Sequence, residues 1–545
     1  MTAGKAPARI PHEDPVWGRE VVRRDSGVPY LVFAERPPHL VAVLEQCRRW
    51  AGRTAVKQGP RAMSFEELID ASDRVGAALH ERGVRRHDRV LILGFNSVDW
   101  IVTLWGVLRL GAVPVLGNAW WGREEIAGAV ADVAPSLVLT TSPIAIPDLP
   151  VDVLSSQQVM AQLSQDDEWE SPAAWNDVHE DEPAVILFTS GTSGRPKGAV
   201  LSHRSVVAMQ HMLLFATHRL PVDIPDDFSV SPVLQTGPLF HIGGVQTLIR
   251  TLITGSVIVL TEGKFDPSQV LHLIEHERIE RWGGVPTMMT RVLGEPSIDG
   301  RDLTSLRSLT LGGSVVQPEI IRRIKRHFPN VQRGVGQIYG LSEAGGTLCS
   351  ASGRDTVDRP DSVGRPLPLV ELIVASPDAA GVGSLLARTP TQMSGYFGVP
   401  AGDDVAIDSE GWLQTGDLGR IDQDGYVYVV GRTKDVIIRG GENVAAAHVE
   451  AAILDLPGVV EAAVVGLPDA DLGEAVAAAV VTDDRELTVD VLRAALHERL
   501  ARFEIPERWW FQSGPLPAND IGKVDKRLLV DSWPADALPN YSIDQ

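Results

Sequence analysis

A segment rich in glycine and hydroxyl groups, FTSGTSGRPKG from Phe188 to Gly198, has the composition of a phosphate-binding loop. Its glycines permit backbone angles that other residues rarely adopt, so that amide N–H groups can approach an anion closely. The hydroxyl groups add hydrogen-bond donors, and Lys197 adds a mobile positive charge. The segment therefore predicts binding of a polyphosphate. The candidate ligands are Thr189, Ser190, Gly191, Thr192, Ser193, Gly194 and Lys197.

The segment differs from the Walker phosphate loop. A Walker loop has a Gly-Lys pair followed by Ser or Thr, whereas Lys197 stands between Pro196 and Gly198. The mismatch argues against a phosphotransferase that releases ADP. The full string instead resembles the signature of the adenylate-forming superfamily, which includes acyl-CoA synthetases, adenylation domains of nonribosomal peptide synthetases and luciferases.

Two further strings resemble nucleotide motifs of that superfamily. In QIYGLSE, the resemblance implies that the ring of Tyr339 stacks on adenine, that the hydroxyl of Ser342 contacts phosphate, and that Glu343 holds Mg²⁺. A carboxylate suits Mg²⁺ because this hard ion prefers oxygen ligands. In LGGSV, starting at Leu311, the glycines are implied to let backbone lie against adenine. The nucleotide residues assigned from both strings are Gly312, Gly313, Ser314, Ile338, Tyr339, Gly340 and Ser342.

A shorter string, TGD from Thr415 to Asp417, precedes a strand that ends at Arg432. The resemblance implies that Asp417 and Arg432 bind the two ribose hydroxyls of the nucleotide. One carboxylate can accept hydrogen bonds from two neighbouring hydroxyls, as in dinucleotide-binding folds.

Two strings near the C-terminus resemble the moving parts of the superfamily. GRTKDVIIRGGENV places Lys434 at the hinge about which the C-terminal domain of relatives rotates, and Gly440 and Gly441 would then border the pantetheine tunnel. PANDIGKVDK places Lys523 at the adenylation lysine. Such a lysine would draw the carboxylate and the α-phosphate together and offset the negative charge that develops during in-line attack.

The strings PLFHIGG and GGVPTMM resemble the walls of the superfamily's acid pocket, with His241 near the substrate carboxylate. Ile338 stands where many aryl and long-chain relatives have glycine. This difference predicts a shortened pocket for a small or medium-sized acid, aliphatic or aromatic.

Two departures from the superfamily pattern concern the second half-reaction. Relatives commonly have Pro and Glu after the hinge asparagine, whereas this chain has Ala446 and His448 and retains Glu450. The lysine loop has Ala518 and Asn519 where Arg and Thr are usual. These departures leave open a different acceptor from coenzyme A, either a carrier-protein thiol or a nitrogen nucleophile of the amine or nitrite type.

Composition excludes several other classes. The net charge is −21, with 71 acidic and 50 basic residues, and such a surface repels nucleic acid. Only eight basic residues are lysines against 42 arginines, and half of the lysines lie in the motifs, where a compact, flexible charge is useful. The apolar stretch from Trp100 contains Arg109 and helix-breaking residues, so a buried helix and strand are expected and not a membrane span.

Two cysteines are too few for a disulfide framework, and the first residues lack the apolar core of a signal peptide. A cytoplasmic location is therefore expected.

The motifs need a scaffold of alternating helices and apolar strands. Ser64 and Glu67 form a capping box for a helix that ends before Gly83. Strands such as RVLILGF and AVILF alternate with helices, which predicts largely parallel sheets. The expected fold is α/β, with a large N-terminal domain of stacked, mostly parallel sheets, a small β-barrel-like subdomain, and a small mobile α+β C-terminal domain. The boundaries are placed at 1–432 and 433–545.

The motifs occur in the superfamily's order from about residue 40 to 530. They imply an AMP-forming, acyl-CoA synthetase-like ligase that uses ATP, Mg²⁺ and coenzyme A. A carboxylate would attack the α-phosphate, pyrophosphate would leave, and rotation about Lys434 would admit the thiol. The expected partners are a small-molecule carboxylic acid and, with the other acceptor, an acyl carrier protein. The oligomeric state is left open, with a homodimer as one option.

Overall fold

The computed structural model describes residues 16–24, 27–162, 178–189, 196–312, 318–331, 335–399, 406–440, 442–469, 471–482, 484, 487–519 and 523–534. Its helices are α1 Leu40–Gln46, α2 Phe65–Glu81, α3 Val98–Arg109, α4 Arg123–Val133, α5 Ser156–Gln162, α6 His203–Ala216, α7 Ile242–Ile253, α8 Pro267–His276, α9 Pro286–Leu293, α10 Pro318–His327, α11 Asp355–Asp358, α12 Ala446–Leu454, α13 Val489–Leu496 and α14 Lys526–Asp531.

The strands fall into three stretches of the chain. The first stretch holds β1 Val21–Arg23, β2 Leu31–Phe33, β3 Thr54–Gln58, β4 Arg61–Ser64, β5 Arg89–Leu93, β6 Val113–Gly117, β7 Leu137–Thr140, β8 Val153–Ser155, β9 Pro183–Thr189 and β10 Lys197–Ser202. The second holds β11 Val233–Gln235, β12 Ile258–Leu260, β13 Arg281–Gly284, β14 Ser308–Gly312, β15 Gly336–Leu341, β16 Gly346–Ala351, β17 Arg365–Pro366, β18 Glu371–Ala375, β19 Gly383–Arg388, β20 Leu413–Ile421 and β21 Val427–Arg432. The third holds β22 Val436–Arg439, β23 Glu442–Ala445, β24 Val459–Asp469, β25 Gly473–Thr482 and β26 Arg508–Gln512.

Two large sheets dominate the N-terminal part. One has six strands in the order β10-β9-β6-β5-β7-β8, and the other has nine in the order β17-β16-β15-β14-β13-β11-β12-β3-β4. The inner pairs of both sheets are parallel, whereas β9–β10, β15–β16, β16–β17 and β3–β4 are antiparallel. The predicted α/β fold with mostly parallel sheets is confirmed.

The helices between these sheets are buried where the sequence predicts. The capping box of Ser64 and Glu67 is present at the start of α2. Helix α3 is buried along almost its whole length, because Val98, Trp100 and their neighbours pack into a core shared by the two large sheets. No helix in the described part of the chain is long and apolar enough to cross a membrane.

Three smaller sheets accompany the large ones. Strands β1 and β2 form a short antiparallel pair. Strands β18 to β21 form an antiparallel sheet of four, whose ladder is open among the residues described, so this sheet is not a closed barrel. Strands β22 to β26 form a separate five-stranded sheet, with α12 and α13 on one face and α14 on the other. This last unit has the α+β composition expected for the C-terminal region.

Candidate active site

A buried carboxylate, Asp417, lies at the centre of the grouped motif residues. Strands β20 and β21 are antiparallel and pair Asp417 with Arg432 directly. Asp417 is only 5% exposed, and its Oδ1 accepts a hydrogen bond from Nε of Arg432 at 2.8 Å. Its Oδ2 accepts a second bond from the hydroxyl of Tyr339 at 2.7 Å. The carboxylate is thus held in one orientation by two donors from different strands.

Tyr339 stays protonated in this arrangement. Burial, followed by the charge and hydrogen bond of Asp417, raises the pKa of Tyr339 well above its usual value. The neighbouring Gly340 permits a close strand approach, because a Cβ there would lie 1.8 Å from the carbonyl oxygen of Gly346. The sequence resemblance assigned Tyr339 and Gly340 to the nucleotide, and both lie on β15, where Tyr339 bonds Asp417.

Glu343 lies in a short 3-10 turn, Ser342–Ala344, that follows β15. Its Oε1 accepts a hydrogen bond from the hydroxyl of Tyr396 at 2.9 Å, and Nζ of Lys197 lies 5.0 Å from the centre of the Tyr396 ring. Tyr396 therefore brings together the predicted phosphate lysine and the predicted magnesium carboxylate.

The turn around Glu343 is anchored by neighbouring segments. Nε2 of Gln246, on α7, donates to the carbonyl oxygen of Gly345 at 2.7 Å. The hydroxyl of Thr391 donates to the carbonyl oxygen of Ala344, also at 2.7 Å. Sequence reasoning missed three residues that contact Glu343 or its turn, namely Tyr396, Gln246 and Thr391. None of them belongs to a motif, and only the tertiary fold brings them to this place.

The phosphate segment connects two paired strands. Thr189 ends β9, Lys197 begins β10, and the two residues are register partners. Oγ1 of Thr189 is buried and has no hydrogen-bond partner in the described part of the chain. Several predicted ligands lie outside the described residues: Ser190, Gly191, Thr192, Ser193, Gly194, Gly313, Ser314 and Gly441.

Lys523 is brought to the Asp417 group from the far end of the chain. Its loop is closed by two bonds, from the Asn519 amide to the Lys523 carbonyl at 2.7 Å and from the Lys523 amide to Oδ1 of Asn519 at 3.0 Å. Burial and then the positive charge of Arg432 lower the pKa of Lys523, while Asp417 acts in the opposite direction. The half-buried ammonium therefore lies within electrostatic range of both ribose candidates.

His241 faces the same region from the residue that precedes α7. Its Nε2 is buried and has no hydrogen-bond partner in the described ranges. Burial and then the charge of Lys523 lower the pKa of His241 to about 4, so the imidazole is neutral near pH 7. A buried ring nitrogen without a partner costs stability unless a ligand satisfies it, which is consistent with the predicted place beside the substrate carboxylate.

Ile338 and Gly312 lie side by side on β15 and β14 as register partners. The Ile338 side chain fills the space above Gly312, since a Cβ on Gly312 would lie 2.4 Å from Cγ1 of Ile338. Ile338 is nevertheless 37% exposed, which is unusual for a large apolar residue on an inner strand. It therefore borders open space next to Tyr339.

The predicted hinge follows this group directly along the chain, two residues after Arg432. Lys434 is exposed in the turn Thr433–Asp435, and Gly440 follows β22 with a φ of +58°. Neither residue has a hydrogen bond or ion pair to the Asp417 group among the residues described. Gly440 instead donates its amide to the carbonyl oxygen of Leu472 at 2.7 Å.

The first departure from the superfamily pattern lies at the start of α12. Ala446 is buried there, and the preceding residue provides no side-chain cap. His448 stands 4.0 Å from Oε1 of Glu504, and Glu450 pairs with Nζ of Lys526 at 2.7 Å. The helix is thus held by its ion pair and its buried face.

The buried histidines make a pH dependence testable. His203, His211 and His241 have pKa values lowered by burial to about 3, 4 and 4. Because the unfolded state binds protons at a higher pH than these folded sites, the free energy of unfolding should fall as pH decreases from about 6.5 to 4. Each histidine should contribute a slope of up to about 1.4 kcal/mol per pH unit.

Denaturant unfolding at several pH values measures this slope. His241→Gln should reduce the slope by the share of one histidine, whereas His80→Gln, at an exposed position on α2, should leave it unchanged. An equal slope for His241→Gln and the unmodified protein would contradict a buried neutral imidazole.

Comparison with known proteins identifies the family. The chain matches the family model for AMP-binding enzyme over residues 43–397 and that for the AMP-binding enzyme C-terminal domain over residues 448–523. The chain therefore belongs to the AMP-binding enzyme family, within the adenylate-forming superfamily that its motifs resemble.

Relatives with named activities cover nearly the whole chain. The indoleacetate–CoA ligase of Aromatoleum aromaticum is 32% identical, over 88% of this chain and 95% of the relative. A feruloyl-CoA synthase of an Amycolatopsis species is 32% identical, over 87% and 94%. The fatty acid–[acyl-carrier-protein] ligase ScoC of Streptomyces coeruleorubidus is also 32% identical, over 88% and 93%.

Solved structures share the architecture. ATP-bound MatB from Rhodopseudomonas palustris superposes with a TM-score of 0.77 at 27% identity, covering 90% of this chain and 99% of that chain. The o-succinylbenzoate CoA synthetase MenE from Bacillus subtilis, in complex with the acyl-adenylate intermediate OSB-AMP, gives a TM-score of 0.76 at 26% identity, covering 91% and 97%.

Proposed function

We propose that this protein uses ATP to convert a carboxylic acid into an acyl-adenylate with release of pyrophosphate, and then forms a thioester with coenzyme A. It is an AMP-forming acid–thiol ligase. The observation that carries the assignment is the position of Lys523. A lysine from the C-terminal region lies within electrostatic range of Asp417, Arg432 and His241, the residues expected at the ribose and at the acid.

The adenylation step needs positioning and charge stabilisation more than a protein nucleophile. A carboxylate oxygen of the acid attacks the α-phosphorus, and the bond from that phosphorus to the bridging oxygen breaks, so that pyrophosphate leaves with the electron pair. Lys523 would offset the charge on the α-phosphate, and Lys197 would hold the departing pyrophosphate. Asp417 would accept from the ribose hydroxyls, since each carboxylate oxygen has a second lone pair.

Mg²⁺ would be held by Glu343. The donor set fits, because this half-buried carboxylate lies close to Lys197 and Mg²⁺ favours one or two carboxylates together with phosphates and water. No cluster of three or more His, Cys, Asp or Glu residues that could hold a metal by itself occurs in the described ranges. The ion would supply charge neutralisation at the phosphates.

The second step would use rotation about Lys434. We place the boundary between the two domains after Arg432, so that the exposed turn Thr433–Asp435 is the hinge. Rotation would withdraw Lys523 and bring Gly440 and Gly441 to the path of the thiol. The enzyme would work in the cytoplasm, where ATP and coenzyme A are available.

A carrier-protein thiol is the second candidate acceptor. The uncapped start of α12 and the exposed His448 differ from the superfamily pattern at the junction that the thiol must approach. One relative, whose 32% sequence identity equals that of the two CoA ligases above, is named as an acyl-carrier-protein ligase. A nitrogen nucleophile is the third candidate, from the sequence alone.

Pyrophosphate release over a panel of acids, with and without coenzyme A, tests the proposal. We expect acid-dependent release without coenzyme A, faster turnover with it, and poor use of hexadecanoate because Ile338 narrows the pocket. Detection of the acyl-CoA by mass spectrometry identifies the acceptor. Adenylate formation without any acyl-CoA would favour the carrier protein, and efficient turnover of hexadecanoate would contradict the role given to Ile338.

A further inference from the structure

Helix α7 spans the central strands of the nine-stranded sheet. Near its start, Gln246 is bonded to the carbonyl oxygen of Gly345, just before β16, and farther along it packs against β11 and β12. Since β15, β14 and β13 lie between these strands in the sheet, the helix crosses above them. We refer to the space between α7 and the sheet face below it as the groove.

The floor of this groove consists of small residues. Alternate residues of a strand point to opposite faces, and paired residues share a face. One face of β13 and β14 packs Trp282, Leu309 and Leu311 into a core. The other face carries Gly283, which is exposed although its strand lies in the middle of the sheet. The other residues on that floor are Ser308, Thr310, Gly336 and Gly312.

Three arginines meet at the lower end of the groove. Arg281 begins β13 on the same face as Gly283, and its Nη2 donates to the hydroxyl of Ser256, just after α7, at 3.0 Å. Arg250 lies in the last turn of α7, and Arg219 in the segment after α6. Burial and then the charges of Arg219 and Arg250 lower the pKa of Arg281 to about 9, so the other two guanidinium groups lie within electrostatic range of Arg281.

These arginines lack acidic partners in the described part of the chain. None of them forms an ion pair there, and Nε of Arg281 and Nη1 of Arg219 are buried without a hydrogen-bond partner. The acid that acts on Arg281 is its neighbour Glu280. Glu280, the residue before β13, instead accepts a hydrogen bond at Oε2 from the hydroxyl of Ser231 at 2.8 Å.

The cluster is costly without a ligand. A cation at the end of a helix gains from the helix dipole, which accounts for Arg250 alone. The helix dipole does not account for the guanidinium groups of Arg281 and Arg219 beside Arg250, which have buried donors without a hydrogen-bond partner. An anion at the centre of the three would satisfy these donors and remove the repulsion.

The upper end of the same groove lies at the reaction centre. His241 precedes α7 and feels the charge of Lys523, while Ile338 and Gly312 adjoin Tyr339. Along the groove, β14 extends ~13 Å from Ser308 to Gly312, which is four residue steps at the rise of a parallel strand. The helix from its start to Arg250 rises by a similar ~12 Å. The arginine cluster is therefore one medium-length acyl chain away from the activated carboxylate.

We infer that the acid substrate carries a second anionic group at its far end, as in a medium-length α,ω-dicarboxylic acid, and that Arg281, Arg250 and Arg219 bind that group. The inference rests on the proposed adenylating function. One carboxylate reacts at Lys523 while the other is held by the guanidinium groups, so the cluster selects the substrate class. An apolar chain end would leave the three charges unsatisfied.

Pyrophosphate release with octanedioate and with octanoate, each with ATP and Mg²⁺, tests this inference on the full chain. We expect kcat/KM to be at least ~10-fold higher for octanedioate. Arg281→Met should reduce that preference by about 10-fold, mainly through KM, because a charged hydrogen-bond partner is lost. Arg281→Lys should retain part of the preference. Arg326→Met, at an exposed position on α10, is the matched control and should change nothing.

Thermal unfolding gives a readout independent of turnover. Octanedioate should raise the Tm of the unmodified protein and not that of Arg281→Met, whose Tm without acid should be unchanged or higher because a repelled cation is removed. Equal kcat/KM for the two acids, or a preference unchanged by Arg281→Met, would overturn the inference while leaving adenylation intact. Pyrophosphate release with no acid of the panel would instead reject the proposed function.

Discussion

Replacing Lys523 by alanine should reduce acid-dependent pyrophosphate release by about 10²- to 10³-fold, the range for loss of a preorganised group that stabilises transition-state charge. The physical reason is the position of the ammonium within electrostatic range of Asp417, Arg432 and His241. Because the lysine would act only in the adenylation orientation, attack by coenzyme A on supplied acyl-adenylate should remain largely intact.

The two half-reactions are measured separately on the same protein. Pyrophosphate release reports the first, and acyl-CoA formation from synthetic acyl-adenylate reports the second. Lys526→Ala is a matched control from the same segment, whose ammonium pairs with Glu450 and not with the Asp417 group. Equal loss of both half-reactions in Lys523→Ala would contradict a two-orientation mechanism.

Local patterns predicted the parts of this fold that depend on short stretches of chain. The capping box at Ser64 and Glu67 satisfies the first amides of α2 within four residues, so it is visible in the sequence. The buried α3 follows from an apolar run that no solvent-facing helix would carry. The pairing of Asp417 with Arg432 is also local, since one hairpin joins β20 to β21.

The rest of the site depends on contacts between distant segments. Tyr396 joins Lys197 to Glu343, yet its own string has no spacing that indicates chemistry. The arginine cluster comes from the segment after α6, the end of α7 and the start of β13, and arginine is common throughout this chain. Such groupings become visible only when sheet register and helix crossing are known.

The departures at the hinge show a different limit of sequence reasoning. A helix start without a side-chain cap leaves amide groups to water and costs roughly 1 kcal/mol. Here α12 begins at the buried Ala446, and a Cβ built on Gly431 of β21 would lie 3.8 Å from Cβ of Ala445. These small residues allow close packing between β21 and the start of α12, and that packing cannot be read from the motif alone.

The second large effect is expected at Asp417. Its two oxygens accept from a phenol and a guanidinium, so an asparagine of the same shape must present its NH₂ group to one of these donors. The change also removes the charge that compensates Arg432 next to Lys523. Arg432 would then lack the buried carboxylate of Asp417 as its ion-pair partner, which is unfavourable.

Asp417→Asn should therefore lower kcat/KM for ATP by about 10²- to 10³-fold, since charge-assisted hydrogen bonds to the protein and to ribose are lost together. It should also shift the alkaline limit of the pH–rate profile to lower pH. Asp417 supports the protonated form of Lys523, so without this charge the lysine pKa falls further and the ammonium is lost earlier. The control is Asp424→Asn in the exposed turn between β20 and β21, which should alter neither quantity. An unchanged alkaline limit in Asp417→Asn would show that Lys523 and Asp417 do not act on each other during adenylation.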